Sequence, residues 1–327
     1  MPKKKKSFAT IYVLNGEGGA VKETPASLSD LMTDKNPVWV HLNLSDVRAA
    51  RWLKRQKELS EWVRENLLNP EALEPRMRVK QNRLLLVLRT VDITPRSEPD
   101  DLVFLRLFAT EKILISACLS PTIDFKDIDE LFSDNDGPKN INDLIPVILE
   151  NTLDSVTESI DRIEDLVDDM EENIITGHLK EGMYQSLSEL LRQVIVIRRF
   201  MMPEREVLDN LIRHGIRWFN AETERSIRDD FDRVRRIVED IDLLEKRIRV
   251  NQDALSHIED KQTQKNMYML SVIAGIFLPL SFIASVFGMN LGGIPLNEQP
   301  YGFLAINVGM LVIGLFIWFL FKKLKWV

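Results

Sequence analysis

NMYMLSVIAGIFLPLSFIASVFGMNLGGIPLN, residues 266–297, contains no charged side chain, in a chain of 327 residues that is 28% charged. From Met267 to Phe287 it is almost wholly apolar, long enough to cross a bilayer as one helix. A second apolar run, Phe303 to Phe321, follows a short loop. The rest of the chain is read as serving this pair of spans.

The polar side chains of the first span are Tyr268 near its entrance and Ser271, Ser281 and Ser285. Stepping in threes and fours gives Met267, Ser271, Ala274, Leu278, Ser281, Ser285 and Gly288, one line down one helical face. Two readings compete. Serines and small residues suit helix–helix packing within a membrane. The same line suits a pore wall, with hydroxyls facing water and apolar rings at Met267 and Leu278 that gate by dewetting. One helix cannot enclose water, so a pore requires several copies around an axis.

Lys and Arg placement gives a topology. Lys261 and Lys265 precede the first span, and Lys322, Lys323 and Lys325 follow the second. The loop from Leu291 to Tyr301 holds no Lys or Arg and one acid, Glu298. The positive-inside rule puts both termini in the cytoplasm. Tyr301, Trp318 and Trp326 suit the membrane interfaces. The start, MPKKKKSFAT, is basic with no apolar stretch behind it, unlike a secretory signal. The net charge of −7 does not point to nucleic acid, and the single cysteine, Cys118, excludes an intramolecular disulfide.

Residues 7 to about 135 alternate short strand-like and helix-like segments. Phe8–Leu14, Val38–Leu44, Leu84–Val91, Leu102–Phe108 and Ile113–Leu119 read as strands, the last two as a hairpin. Ser27–Met32, Ser45–Glu58 and Ser60–Leu68 read as helices, with Ser45 and Ser60 as N-caps. No phosphate loop, nucleophile constellation or metal-ligand spacing occurs there, and His41 reads as a structural histidine. Ser133–Pro138 is a breaker and lacks the full ligand pattern of a calcium loop.

Beyond it, Ile141–Ile175 and Leu179–Arg213 read as two long helices joined near Gly177. The first carries nine acids between Asp154 and Glu172, against one base, Arg162. Such a run is either a solvated face or, repeated around a ring, a cation-concentrating field. Arginines 192, 198, 199, 205 and 213 of the second helix are candidates to pair with it. A third helix begins near Glu222 and reaches Gly288, on the order of 100 Å at about 1.5 Å per residue. Ile227, Phe231, Val234, Val238, Ile241, Ile248 and Leu255 form an apolar seam along it. Extending the serine line backwards gives Gln264, Asp260, His257, Asp253, Val250 and Lys246, about 200° away from that seam. Asp253, His257 and Asp260 are therefore candidates to bind metal or protons, or ordinary residues of a polar face.

Two C-terminal spans, with Gly288-Met289-Asn290 ending the first, resemble the CorA-type divalent metal ion transporters. The resemblance extends over the whole architecture. Asn290-Leu291-Gly292-Gly293-Ile294-Pro295 and the ending Lys325-Trp326 are most like the zinc transporter (ZntB) branch. It implies a homopentamer in the lipid bilayer of the cytoplasmic membrane, with the first span lining a central pore. Gly288, Met289 and Asn290 would form the ion-selecting ring, Asn290 through its amide oxygen and Gly288 through its carbonyl. Such neutral oxygens suit a cation that keeps its water shell.

The expected fold is α+β: an N-terminal mixed α/β cytoplasmic domain (1–135), a helical stalk region (136–265) and a two-span membrane domain (266–327). The expected function is transport of Zn²⁺, with Mg²⁺ or Co²⁺ as the alternative cargo, by a protein that is not an enzyme and has no prosthetic group. A membrane-anchored sensor or scaffold is the alternative of another class.

Overall fold

The computed structural model describes residues 8–24, 27–31, 36–68, 74–91, 102–119, 125–289 and 301–323. The chain divides into two compact units, Met1–Gln252 and Asp253–Val327. The first is built on a seven-stranded sheet. Its strands are β1 (Ala9–Leu14), β2 (Ala20–Glu23), β3 (Val38–Asn43), β4 (Arg76–Lys80), β5 (Arg83–Val91), β6 (Leu102–Ala109) and β7 (Ile113–Cys118), in the order β2-β1-β3-β7-β6-β5-β4. All neighbours are antiparallel except β3 and β7, which run parallel, Val40 opposite Ile115. The expected β6–β7 hairpin is present.

The two strands that the sequence reading passed over, β2 and β4, are the sheet's edges. Arg76-Met77-Arg78-Val79-Lys80 does alternate charged and apolar residues, but it is short and three-fifths charged, and from Arg78 onward it is exposed, Val79 included. Charged side chains on an edge keep it from pairing with another chain. The β4–β5 turn is Gln81-Asn82, both at positive φ, 51° and 59°, as a two-residue hairpin demands. The β1–β2 loop closes on Asn15, whose Oδ1 accepts the N–H groups of Glu17 and Gly19. Gly18 has φ +105°, and a Cβ there would lie 2.4 Å from the Asn135 carbonyl oxygen. Its own carbonyl accepts the Gly137 N–H at 2.8 Å. The breaker at 133–138 is thereby tied to the first hairpin.

Strand alternation sends two sets of side chains to the two faces. On one, Ile11, Val40, Leu42, Leu85, Phe108 and Ile115 form a core with α1 (Leu28–Leu31), α2 (Val47–Arg55) and α3 (Glu61–Leu68). Asp46, rather than the expected Ser45, caps α2: its side chain accepts the Arg48 N–H, while the Ser45 hydroxyl donates to Asn43 Oδ1 at 2.6 Å. On the other face Trp39 stacks on Tyr12 at 4.7 Å and meets the edge of Phe125, just before α4 (Lys126–Ser133). His41 lies in this group, its Nδ1 2.8 Å from Ser116 Oγ and its ring 4.9 Å from Phe125.

Three long helices complete the unit. They are α5 (Ile141–Thr176), α6 (Met183–His214) and the N-terminal part of α7 (Ala221–Phe287). Asn140 caps α5 through two backbone N–H groups, and Gly177 ends it in the left-handed conformation, φ 76°. The apolar seam of α7 is buried as expected at Ile227, Val234, Val238, Ile241 and Ile248, each contributing about 1.5–3 kcal/mol of transfer free energy. Ion pairs set the register around it. Arg233 reaches Asp154 at 2.6 Å, and Arg247 is held by Glu164, Asp168 and Glu171. Arg198 of α6 pairs with Asp242 of α7 at 2.6 Å. Arginines of α7 thus serve the acidic run of α5, where arginines of α6 were the expected candidates.

Glu204 of α6 is 1% exposed, and its Oε2 accepts the Arg89 N–H at 3.3 Å. Arg89 lies beyond the last β5 residue that pairs with β4, Val87, so the carboxyl stands where that strand no longer reaches. The Arg89 guanidinium is sandwiched between Phe104 and Phe200, 3.9 and 3.7 Å from the ring centres. Burial pushes the Glu204 carboxyl up to about 8, offset in part by its contact with Arg89.

Gly18→Ala combines a disfavoured backbone conformation with a collision against backbone. It is expected to destabilise the first unit by roughly 1–3 kcal/mol. Thermal unfolding of wild type and variant measures this; an unchanged midpoint would show that the loop relaxes freely.

Candidate functional site

The second unit is Asp253–Val327. Its helices are the C-terminal part of α7, from Asp253 to Phe287, and α8 (Gly302–Lys323), and α7 and α8 are both long and apolar enough to cross a membrane. Close approach between them is made with glycine. A Cβ on Gly275 would lie 2.8 Å from the Phe321 ring, and one on Gly314 would lie 3.6 Å from Leu280 Cδ1. Pro279 sits inside α7, and the carbonyl its missing N–H leaves free is that of the same Gly275.

Half-buried residues of the first span, Val272, Gly275, Ile276, Leu280, Ile283 and Phe287, mark the side that α8 covers. The line Met267, Ser271, Ala274, Leu278, Ser281, Ser285 lies about 160° round the helix from them, at roughly 100° per residue. Every member of that line is exposed, Met267 at 64% and Leu278 at 69%. The hairpin thus uses one face of the first span and leaves the opposite one open. Ser271 donates its hydroxyl to the Met267 carbonyl at 2.9 Å, which satisfies it within its own helix. Ser271 and Ser281 also border shallow crevices against α8, the first with Tyr268, Val272 and Phe321 and the second with Leu280 and Leu311 among its lining. Two of the three hydroxyls therefore stand at the margin of the open face.

At the far end of this line the helix gives out. Gly288 N–H still donates to the Ala284 carbonyl at 2.9 Å, while Met289 N–H reaches Val286 only at 3.4 Å. Gly288 and Met289 are exposed; Asn290 lies outside the described residues. At the other end Asp253, His257 and Asp260 follow one another at one-turn spacing, all exposed. Among the described residues no three His, Cys, Asp or Glu side chains of one chain converge into a metal site.

Two buried acids escaped the sequence reading, Glu204 of α6 and Asp230 of α7, 1% and 7% exposed. A signal was present: both fall on apolar registers, Glu204 between Met201 and Leu208, and Asp230 between Ile227 and Val234.

A family model described as CorA-like Mg²⁺ transporter protein matches residues 34–323. The divalent cation transporter CmaX of Pseudomonas aeruginosa is 31% identical over 318 residues, covering 96% of this chain and 95% of that protein. The zinc transport protein ZntB of Pectobacterium carotovorum is 29% identical over 316 residues, covering 96% and 94%. The solved structure of full-length CmaX superimposes with a TM-score of 0.82 at 30% identity, covering 99% of this chain and all of that one. With the match running through sheet, helices and both spans, the chain belongs to the CorA-like Mg²⁺ transporter family and is a transporter of divalent cations, not an enzyme.

Proposed function

We propose that the chain is the subunit of a homopentamer of the cytoplasmic membrane that takes up divalent cations, zinc in preference to Mg²⁺ or Co²⁺, through a central pore lined by the first span. One observation carries this reading: the line from Met267 to Ser285 is open along its length on the face of α7 turned away from α8. In a bilayer such a face needs a partner, and copies of itself around an axis supply one. The hydroxyls and small side chains then meet water, and Met267 and Leu278 form the apolar constrictions.

Both termini are cytoplasmic, because the lysines lie at 261, 265, 322, 323 and 325. Gly288, Met289 and Asn290 surround the external mouth and offer neutral oxygens to a hydrated cation. Asp253, His257 and Asp260 repeat as rings at the cytoplasmic end. Zinc is favoured by similarity to a protein named for zinc transport and by His257, since imidazole is a strong zinc ligand and a weak one for Mg²⁺. Uptake is favoured because an inside-negative potential draws a dication inwards with about 4.6 kcal/mol per 100 mV, twice the roughly 2.3 of a single charge. Coupling to protons is compatible with this direction.

Three measurements test the proposal. With Cys118 replaced, Ser271→Cys, Ser281→Cys and Ser285→Cys are expected to react with small hydrophilic thiol reagents, while cysteines at the lipid-facing positions beside them stay silent. Equal labelling all round, or a monomeric mass in mild detergent, would count against a pore. Asn290→Ala removes an amide oxygen from every subunit at once. A contact to a charged group is worth roughly 1.5–3 kcal/mol, so ion flux into proteoliposomes should fall by about tenfold or more while assembly persists. Normal flux with unchanged ion preference removes Asn290 from the selecting ring. Finally, His257→Ala is expected to weaken zinc binding in calorimetric titrations and to leave Mg²⁺ binding nearly unchanged. Identical zinc isotherms for both proteins would make His257 an ordinary stalk residue.

A further inference from the structure

Asp230 lies in the part of α7 that belongs to the first unit, on the buried seam between Ile227 and Val234. It is 7% exposed, and its Oδ2 is buried without a hydrogen-bond partner. Four charged groups act on it: Glu150 and Asp154 from α5, and Asp229 and Arg233 from its own helix. Three are acids. The one base, Arg233, is drawn to Asp154 at 2.6 Å and to Thr157 Oγ1 at 3.1 Å. An ionised carboxylate there would be a buried charge with an unmet oxygen among like charges, which costs several kcal/mol. A neutral carboxyl avoids most of that.

The route for a proton is on the surface. Asp136, Asp143 and Glu150 with Glu222 and Ser226 of α7 line a cleft open to solvent, and Lys139 is the one base among its lining residues. Ser226 stands one helical turn before Asp230. Acids along a cleft hand protons to water readily.

From this geometry we propose that Asp230 is a proton-binding site of the α5–α7 interface, loaded through the acidic cleft beside it. Burial, then Glu150, pushes its carboxyl up to about 7. The native state therefore binds one more proton than the unfolded chain between about pH 4 and pH 7. Stability falls as pH rises through that window, because the folded form keeps this proton and unfolding releases it. Above it, Asp230 adds a buried negative charge beside those of Glu150 and Asp154, which weakens the α5–α7 contact. The helix that carries this site is the one that continues into the first span. The proposal does not depend on zinc, on a pentamer or on the direction of transport.

Infrared difference spectroscopy on the full chain in detergent, with chelator and from about pH 5 to about pH 9, reads the proton directly. The wild type is expected to show a protonated-carboxyl band that disappears towards alkaline pH. Asp230→Asn should lose one component of it, and Glu204→Gln, which removes the other buried acid, should keep that component. An Asp230→Asn spectrum equal to wild type overturns the proposal. So does loss of the Asp230 component when millimolar Mg²⁺ or Zn²⁺ is added near pH 6, because the occupant is then a metal ion. Should Asp230→Asn fail to fold, Glu150→Gln provides the test. Removing the like charge should move the band's midpoint down by roughly half a pH unit or more, and an unmoved midpoint overturns the proposal equally.

Discussion

A doubly charged ion is not accepted by hydrocarbon, and neither is a charged side chain without a partner. That constraint shapes the second unit. The stretch 266–297 is free of charge, and the lysines stand outside the spans. The two helices meet through the smallest contacts available, Gly275 beneath Phe321 and Gly314 beside Leu280. Close packing on that side gives van der Waals attraction, the main source of helix association in lipid. Pro279 lies on the same helix and frees a carbonyl one turn earlier, that of Gly275, the residue on which Phe321 packs.

The first unit obeys a different constraint, the management of charge on helices that must also pack. The nine acids of α5 between Asp154 and Glu172 repel one another, and Arg233 and Arg247 of α7 bring compensating charge to that helix. Exposed pairs of this kind contribute only about 0.2–1 kcal/mol each. Their larger effect is on register, since Arg247 engages three acids spread over two turns of α5. The apolar seam from Ile227 to Ile248 supplies most of the free energy. Two acids interrupt that apolar economy, Glu204 and Asp230. Glu204 accepts the N–H of Arg89 on β5, and Asp230 keeps one oxygen without a partner while Arg233 is drawn to Asp154. Burial is the main cause that raises both carboxyls above the usual carboxylate range.

Much of the architecture was legible because its signals are local. Strand alternation located β1, β3, β5, β6 and β7 to within a residue or two. The length of apolar runs located the spans, and the step of three and four located the buried seam of α7 and the open line of the first span. The misses follow from the same logic. Edge strands β2 and β4 are short, charged and bury little, so they offer few apolar residues to read, even though β4 alternates. The cap of α2 went to Asp46 because Asn43 captured the Ser45 hydroxyl, a competition between neighbours that residue preference cannot rank. Helix α6 starts at Met183, where Leu179 was expected, since Gly182 in the left-handed conformation interrupts the turn before it.

The sequence by itself determined the periodicities: which segments are helix or strand, which stretch lacks charge, and which residues fall on one face of α7. These depend on bond geometry and on transfer from water, and both act residue by residue. Only the tertiary structure decided which faces meet. The parallel pairing of β3 with β7 joins segments some seventy residues apart. The acids of α5 met arginines of α7, because helix packing, not proximity in the chain, brings side chains within reach. Gly275 came to lie under Phe321, which turned the opposite face of the first span outward. Asp230 reads along the chain as one acid among many. Its burial beside Glu150 exists only once α5 and α7 are in place, because desolvation is a property of the packed interior.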